Sequence, residues 1–361
     1  MGKINNKDWS ILSKYRNEIY GISIIGIIIL HYFNAVLKSD IEGIRRIIAT
    51  AYFDIIGSSG VDVFLILSGM GLYFSMRKND NILNFYARRC KKILIAYIIW
   101  GGSFWFIREI VLLNRGYKSF FYNFSFLSFW NDGVTSLWFI AFILLMYAVY
   151  PFLNMCLKKE NPHRTGLCIW MIIGCMTMIE IFKVYTPEFY MNAKLAIYRL
   201  PVFIIGVYYG SKIYEKKPFD IVDLITVIVG LLSNLVLVLS KSMNLSFIRR
   251  VDVEYIRAIY SIALVIIFAW VFDYVKNSRV SKVLKATGML SLELYMTHVN
   301  IGNIMNVLGL NLSVRLNYAI CVVLAIIMSL LLKYVCNGTM KLFTRIKNSR
   351  EVVANENALA E

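Results

Sequence analysis

Long apolar runs recur along this chain from about residue 19 to residue 340, each near 20 residues and each closed by a short polar or basic stretch. That is the length an α-helix needs to cross a hydrocarbon layer roughly 30 Å thick. Within lipid the backbone must satisfy its own hydrogen bonds, so such runs fold as helices and not as open sheets. Hydrophobic residues make up 58% of the 361, beyond the usage of a soluble globular domain. The expectation is an all-α polytopic integral membrane bundle of about ten transmembrane helices, approximately 19–37, 55–76, 93–113, 136–154, 166–184, 196–213, 219–240, 255–275, 286–307 and 317–340. The ninth is the weakest by hydropathy, because Ser291, Glu293, Thr297, His298 and Asn300 interrupt it. Aromatic-rich 117–131 is too polar and irregular for a further span and reads as interfacial or re-entrant, since Tyr and Trp concentrate at membrane surfaces.

The formal net charge is +17. In a soluble protein this would point to nucleic acid, but here the cations sit in short loops between apolar runs. They obey the positive-inside rule, and no nucleic-acid partner is expected. With the N-terminus inside, 25 Lys and Arg fall on the inner side against 11 in outer loops, with Lys3, Arg249 and Arg250 among those counted. Both termini are therefore expected in the cytoplasm, with an N-terminal arm over 1–18, a membrane domain over 19–340 and a polar tail over 341–361. The first apolar run follows Lys3, Lys7, Lys14 and Arg16 and lacks a small-residue cleavage site, so it reads as a retained helix. The six cysteines lie in or beside spans, and no disulfide is expected.

Only three histidines occur, and two of them, His31 and His298, fall within membrane runs. A titratable group there costs free energy and by default faces a partner or a water-filled cavity. His31 and His298 each lie about 12 residues into an inside-to-outside span, roughly 18 Å from the inner end at 1.5 Å per residue. Asp62, in the returning second span, is about 14 residues from its inner end. Three ionisable groups at nearly one depth are what a shared polar cavity requires. By itself each histidine reads equally as a site residue or as a satisfied helix-packing group.

The segment Tyr15 to His31 (YRNEIYGISIIGIIILH) resembles the first span of membrane acyltransferase family 3 proteins, an Arg- and Gly-containing helix that ends in His. Gly60 to Phe74 (GVDVFLILSGMGLYF) resembles that family's second span, and Phe85 to Tyr97 (FYARRCKKILIAY) the basic stretch after it. Ser136 to Pro151 (SLWFIAFILLMYAVYP), Arg199 to Gly210 (RLPVFIIGVYYG) and Leu290 to His298 (LSLELYMTH) are similar to three later elements, all in the family's order.

The resemblance implies a ten-helix enzyme, here in stand-alone form without a fused esterase-like domain. Such enzymes move acyl groups, most often acetyl, from cytoplasmic acyl-CoA to a hydroxyl of an extracytoplasmic or membrane-linked glycan or glycolipid, with acetyl-CoA as donor and no metal. It implies His31 as the general base, a role that suits an imidazole titrating near neutrality. Asp62 would orient His31 or pair with an intramembrane Arg such as Arg108. Arg16, Arg89 and Lys92 would hold the acyl-CoA phosphates. Trp138, Arg199, Tyr295 and His298 would support the substrate or the developing oxyanion. Arg108, Glu109 and Arg199, near outer span ends, have the reach to snorkel to the interface. Trp138 reads equally as an interfacial anchor, and Ser291 as part of an interhelical hydrogen-bond seam.

Two departures from the family pattern stand out. Tyr20 occupies the position where many members carry an Arg, leaving Arg16 one turn earlier, and Ile95 stands where a proline is usual. The run Arg88, Arg89, Lys91, Lys92 also has two readings, a phosphate clamp or a topology determinant against anionic membrane lipid. The competing function is a secondary transporter or exporter with a buried His/Asp proton relay. A non-catalytic scaffold is the third reading.

Overall fold

A computed structural model describes residues 7–39, 41–57, 59–78, 81–243, 253–310 and 312–360, and these are almost wholly helical with no extended strand. Residues 1–6, Arg249 and Arg250, counted above toward the charge bias, lie outside the described residues. A short α1 (Ser10–Lys14) leads into α2 (Arg16–Leu37). Next come α3 (Ile44–Ile55), α4 (Ser59–Lys78) and α5 (Ile82–Trp105), the last continued by a π-helical segment, Phe106–Leu112. The aromatic stretch forms two short helices, α6 (Gly116–Phe124) and α7 (Leu127–Asp132), too short to cross a membrane, as expected. There follow α8 (Trp138–Leu157), α9 (Arg164–Tyr185), α10 (Pro187–Ile197), α11 (Leu200–Tyr214), α12 (Ile221–Ser242) and α13 (Val253–Tyr274). The chain ends with α14 (Arg279–Gly288), α15 (Ser291–Val307) and the 47-residue α16 (Val314–Ala360).

Among the described residues, eight helical stretches are long and apolar enough to span a membrane. The two expected spans that do not qualify, 196–213 and 286–307, are each broken near their start. Pro201 sits in the first turn of α11, where its missing N–H is harmless but where it bars α10 from running on. That leaves α11 with 15 residues and α15 with 17. At 1.5 Å per residue these are about 22 and 26 Å long, short of the hydrocarbon thickness.

Lipid gives helices no hydrophobic reason to associate, so close packing at small residues carries the contact. The most extensive contact is α4 on α11. There a Cβ on Gly206 would stand 2.5 Å from the Ile66 carbonyl oxygen, and one on Gly69 2.8 Å from that of Phe203. α2 and α14 meet just as closely, with Gly21 against the Leu284 carbonyl and Gly288 against that of Asn17. Overpacking such a seam costs about 1–3 kcal/mol or more. Gly206→Leu is therefore expected to cut the yield of monodisperse protein in mild detergent several-fold by size-exclusion chromatography. Gly174→Leu, whose Cβ would meet open space, should match the parent.

Residues 7–15, within the expected N-terminal arm, are docked on the bundle. Trp9 is fully buried and stacks on Tyr209 at 4.9 Å. Its indole N–H donates to Asp223 Oδ2 (2.9 Å), whose Oδ1 takes Lys212 Nζ (2.8 Å). Lys7 and Lys14 both pair with Asp273 (3.2 and 3.3 Å). This strap fixes the end of α2 that carries Arg16.

Candidate active site

The two intramembrane histidines meet. His31, on the distal half of α2, and His298, on α15, have ring centroids 5.2 Å apart, so their shared depth corresponds to contact. The Tyr295 ring lies 6.0 Å from that of His298, and its phenol oxygen accepts from the Phe139 backbone N–H at 3.0 Å. His298 Nδ1 is 2.8 Å from the Leu294 carbonyl oxygen. A carbonyl only accepts, so Nδ1 carries a proton, which in the neutral ring leaves Nε2 bare. That Nε2 is buried and has no hydrogen-bond partner among the described residues.

Two cavities approach this pair from opposite ends of the bundle. The first, of about 480 Å³, is lined by Arg16, Arg88, Arg89, Lys92 and Lys333 and also by Ile27 and Tyr295. The second, of about 260 Å³, is walled by His31 and His298 together with Asn303, Asn306, Asn317 and Tyr318. Ile27 lies one helical turn before His31, and Tyr295 lies three residues before His298. The walls of the two cavities are thus separated by a single turn on each helix.

The basic ring is held from several helices. Arg16 donates from Nε and Nη2 to the Tyr20 hydroxyl (3.3 and 3.1 Å), one turn along the same face, and its guanidinium lies over that ring. Tyr20, standing where an Arg was looked for, therefore holds the neighbouring Arg, and both line the cavity. Arg89 Nη2 caps the Gly71 carbonyl (2.5 Å), and Arg88 Nη2 caps that of Ser75 (2.9 Å), at the end of α4. Lys333 on α16 reaches the Met289 carbonyl (2.8 Å) in the break between α14 and α15. Ser291, read as a hydrogen-bond seam, lines this cavity. The α15–α16 seam runs through Thr297, whose hydroxyl is 2.9 Å from that of Ser329.

Asp62 faces elsewhere. It is 2% exposed, and Oδ1 stands 3.1 Å from Arg199 Nε, with the Ser261 hydroxyl 3.4 Å from Oδ2. The wall of the second cavity contains both histidines and not Asp62. Asp62 belongs to the first turn of α4, on the side packed against α11 and α13. Arg108 pairs instead with its neighbour Glu109. Arg199 does not snorkel: at 3% exposure it sits just before α11, donates from Nη1 to the Leu195 carbonyl of α10 (2.5 Å), pairs with Asp62 and lies 5.2 Å over the Trp138 ring. Trp138 is half-buried at the start of α8 under that cation, and it lines neither cavity. No cluster of His, Cys, Asp and Glu able to hold a metal ion occurs among the described residues.

A family model described as an acyltransferase domain matches residues 21–336, from α2 into α16, and so takes in the histidine pair and most of the basic ring. The chain belongs to membrane acyltransferase family 3. No curated protein and no solved structure matches it. Family membership makes this chain an acyltransferase enzyme of a multi-pass membrane type, which decides against the transporter and scaffold readings.

The two cavities are also lined by residues that the sequence pattern does not single out. Lys333 falls near the end of the last apolar run, with no motif around it. Tyr147 and Phe64 of the basic cavity were indistinguishable from core aromatics. Asn303, Asn306, Asn317 and Tyr318 of the second cavity lie at the ends of α15 and α16. Asparagines grouped at two facing helix ends were the available signal.

Proposed function

We propose that this acyltransferase moves an acetyl group from acetyl-CoA, entering at the cytoplasmic face, to a hydroxyl of an extracytoplasmic or membrane-linked glycan in the cell membrane, with His31 as general base. The observation that carries this reading is the pair of cavities, one cationic and one uncharged, that converge on His31 and His298. A donor bearing several phosphates belongs with the five cations, since guanidinium and ammonium groups bind phosphate through charge-assisted hydrogen bonds. Arg16 and His31 are 15 residues apart on α2, about 22 Å along the axis, a distance for an extended pantetheine arm to cover with its thioester beside the histidines.

In the reaction the acceptor oxygen attacks the thioester carbonyl carbon as a ring nitrogen of His31 takes the hydroxyl proton. The C–S bond then breaks, and the coenzyme A thiolate leaves and recovers that proton from the imidazolium. The His298 ring packs 5.2 Å from that of His31 and on this reading steadies the base by contact. Tyr295 closes the donor side. Both termini lie in the cytoplasm on this reading, as the loop charges imply.

The test is acetyl-CoA turnover by purified protein reconstituted in vesicles with defined sidedness. Turnover is expected only when acetyl-CoA is offered at the face carrying Arg89. Arg89→Ala is expected to raise KM for acetyl-CoA about tenfold or more, since a hydrogen bond to a charged group is worth about 1.5–3 kcal/mol. Turnover from the opposite face, or an unchanged KM, would overturn the donor assignment.

A further inference from the structure

The second cavity, the outer one on the topology proposed above, carries an inference about the acceptor that rests on the glycan reading. None of the described residues that wall it is Asp, Glu, Lys or Arg. Its polar lining is three asparagine amides and the two imidazoles, with Tyr318 as an aromatic wall 5.2 Å from the Tyr32 ring. Asn303 is already oriented, its Nδ2 donating to the Ser136 hydroxyl at 3.0 Å and leaving its carbonyl oxygen as an acceptor. His298 adds a second, independent sign of a ligand. It is 7% exposed, walls this cavity, and its Nε2 has no hydrogen-bond partner among the described residues.

An amide offers one acceptor and one donor group, which matches a hydroxyl that both gives and takes a proton. It offers no net charge, so an ionic acceptor would shed hydration here against dipoles alone, a loss that buried charges do not recover without a counter-ion. The contrast with the five-cation cavity on the other side of the histidines is direct. The volume, about 260 Å³, lies just below the roughly 300–1,000 Å³ of drug-sized ligand sites, which fits one small ring and not a run of sugars.

We propose that the outer cavity is the acceptor subsite, that it takes a single uncharged polyhydroxylated ring, and that Asn306 and Asn317 select it by hydrogen bonds to hydroxyls other than the one acylated. Uronic, sialic, phosphorylated and free-amine sugars would find no counter-charge among the described residues that wall it.

Ester profiling of a strain lacking the chain, against its parent, tests this on the native substrate. Lipid-extractable and polymeric glycan fractions are analysed separately, so that a lipid-linked acceptor and an assembled polymer are told apart. The ester lost is expected on a neutral residue, and an ester lost from a charged residue overturns the subsite. If no glycan ester is lost, the glycan reading itself falls and this subsite with it. In complemented strains, Asn306→Ala and Asn317→Ala are expected to lower that ester at least tenfold. The same purified variants should keep the parent's thermal shift with coenzyme A. Full ester content in both variants, or loss of the coenzyme A shift along with the ester, would overturn the assignment to acceptor selection.

Discussion

His31→Ala is expected to lower acyl transfer by roughly 10²–10⁴-fold, the usual contribution of a positioned general acid–base, while leaving membrane levels and KM for acetyl-CoA near those of the parent. The separation is expected because His31 walls the outer cavity and the five cations wall the other. His31 has no part in the packing seams at Gly21, Gly69, Gly206 and Gly288, so its truncation should not loosen the bundle. His298→Ala should act differently. It removes a buried ring that is bonded to the Leu294 carbonyl, so part of the loss should appear as reduced thermal stability. The two are compared by initial rates with labelled acetyl-CoA and by unfolding in detergent. Wild-type rates in the His31 variant would remove it from the mechanism and leave the bare Nε2 of His298 as the base to examine.

Depth along a helix was legible in the sequence, and direction around it was not. Counting residues at 1.5 Å each placed His31, His298 and Asp62 in one layer, and the two histidines are indeed in contact. Asp62 is not with them on the cavity wall, because α4 is apolar and small-residued on nearly every face and its periodicity does not say which side meets α2 and which meets α11. The same blindness applied to Arg199, read as able to snorkel and found 3% exposed. Where a local chemical rule existed, the reading survived in substance. Arg16 shares a face with Tyr20 because residues four apart are neighbours on a helix, and the structure shows the two bonded. Helix count depended on a subtler matter. Hydropathy sees 196–213 and 286–307 as continuous, whereas Pro201 and the Met289–Leu290 break divide each into two pieces set by tertiary packing.

The largest stability effect is expected at Asp62 and Arg199. Both side chains are under 5% exposed and face each other at 3.1 Å, and the guanidinium also covers Trp138, so three helices converge on one ion pair. Removing either partner leaves an uncompensated buried charge, which costs about 3–5 kcal/mol. Asp62→Leu and Arg199→Met are each expected to lose most of the folded protein from the membrane. Replacing a buried pair by apolar groups of similar size is often nearly neutral. The double variant is therefore expected to regain both folded yield and unfolding temperature. Neither Asp62 nor Arg199 walls either cavity, which makes their role the positioning of α4 and α11 behind the histidines. On that account acyl transfer should return with stability in the double variant, at an unaltered KM for acetyl-CoA. Recovery of the fold with transfer still depressed tenfold or more would instead show Arg199 acting on the reacting groups, and would bring the oxyanion under its charge.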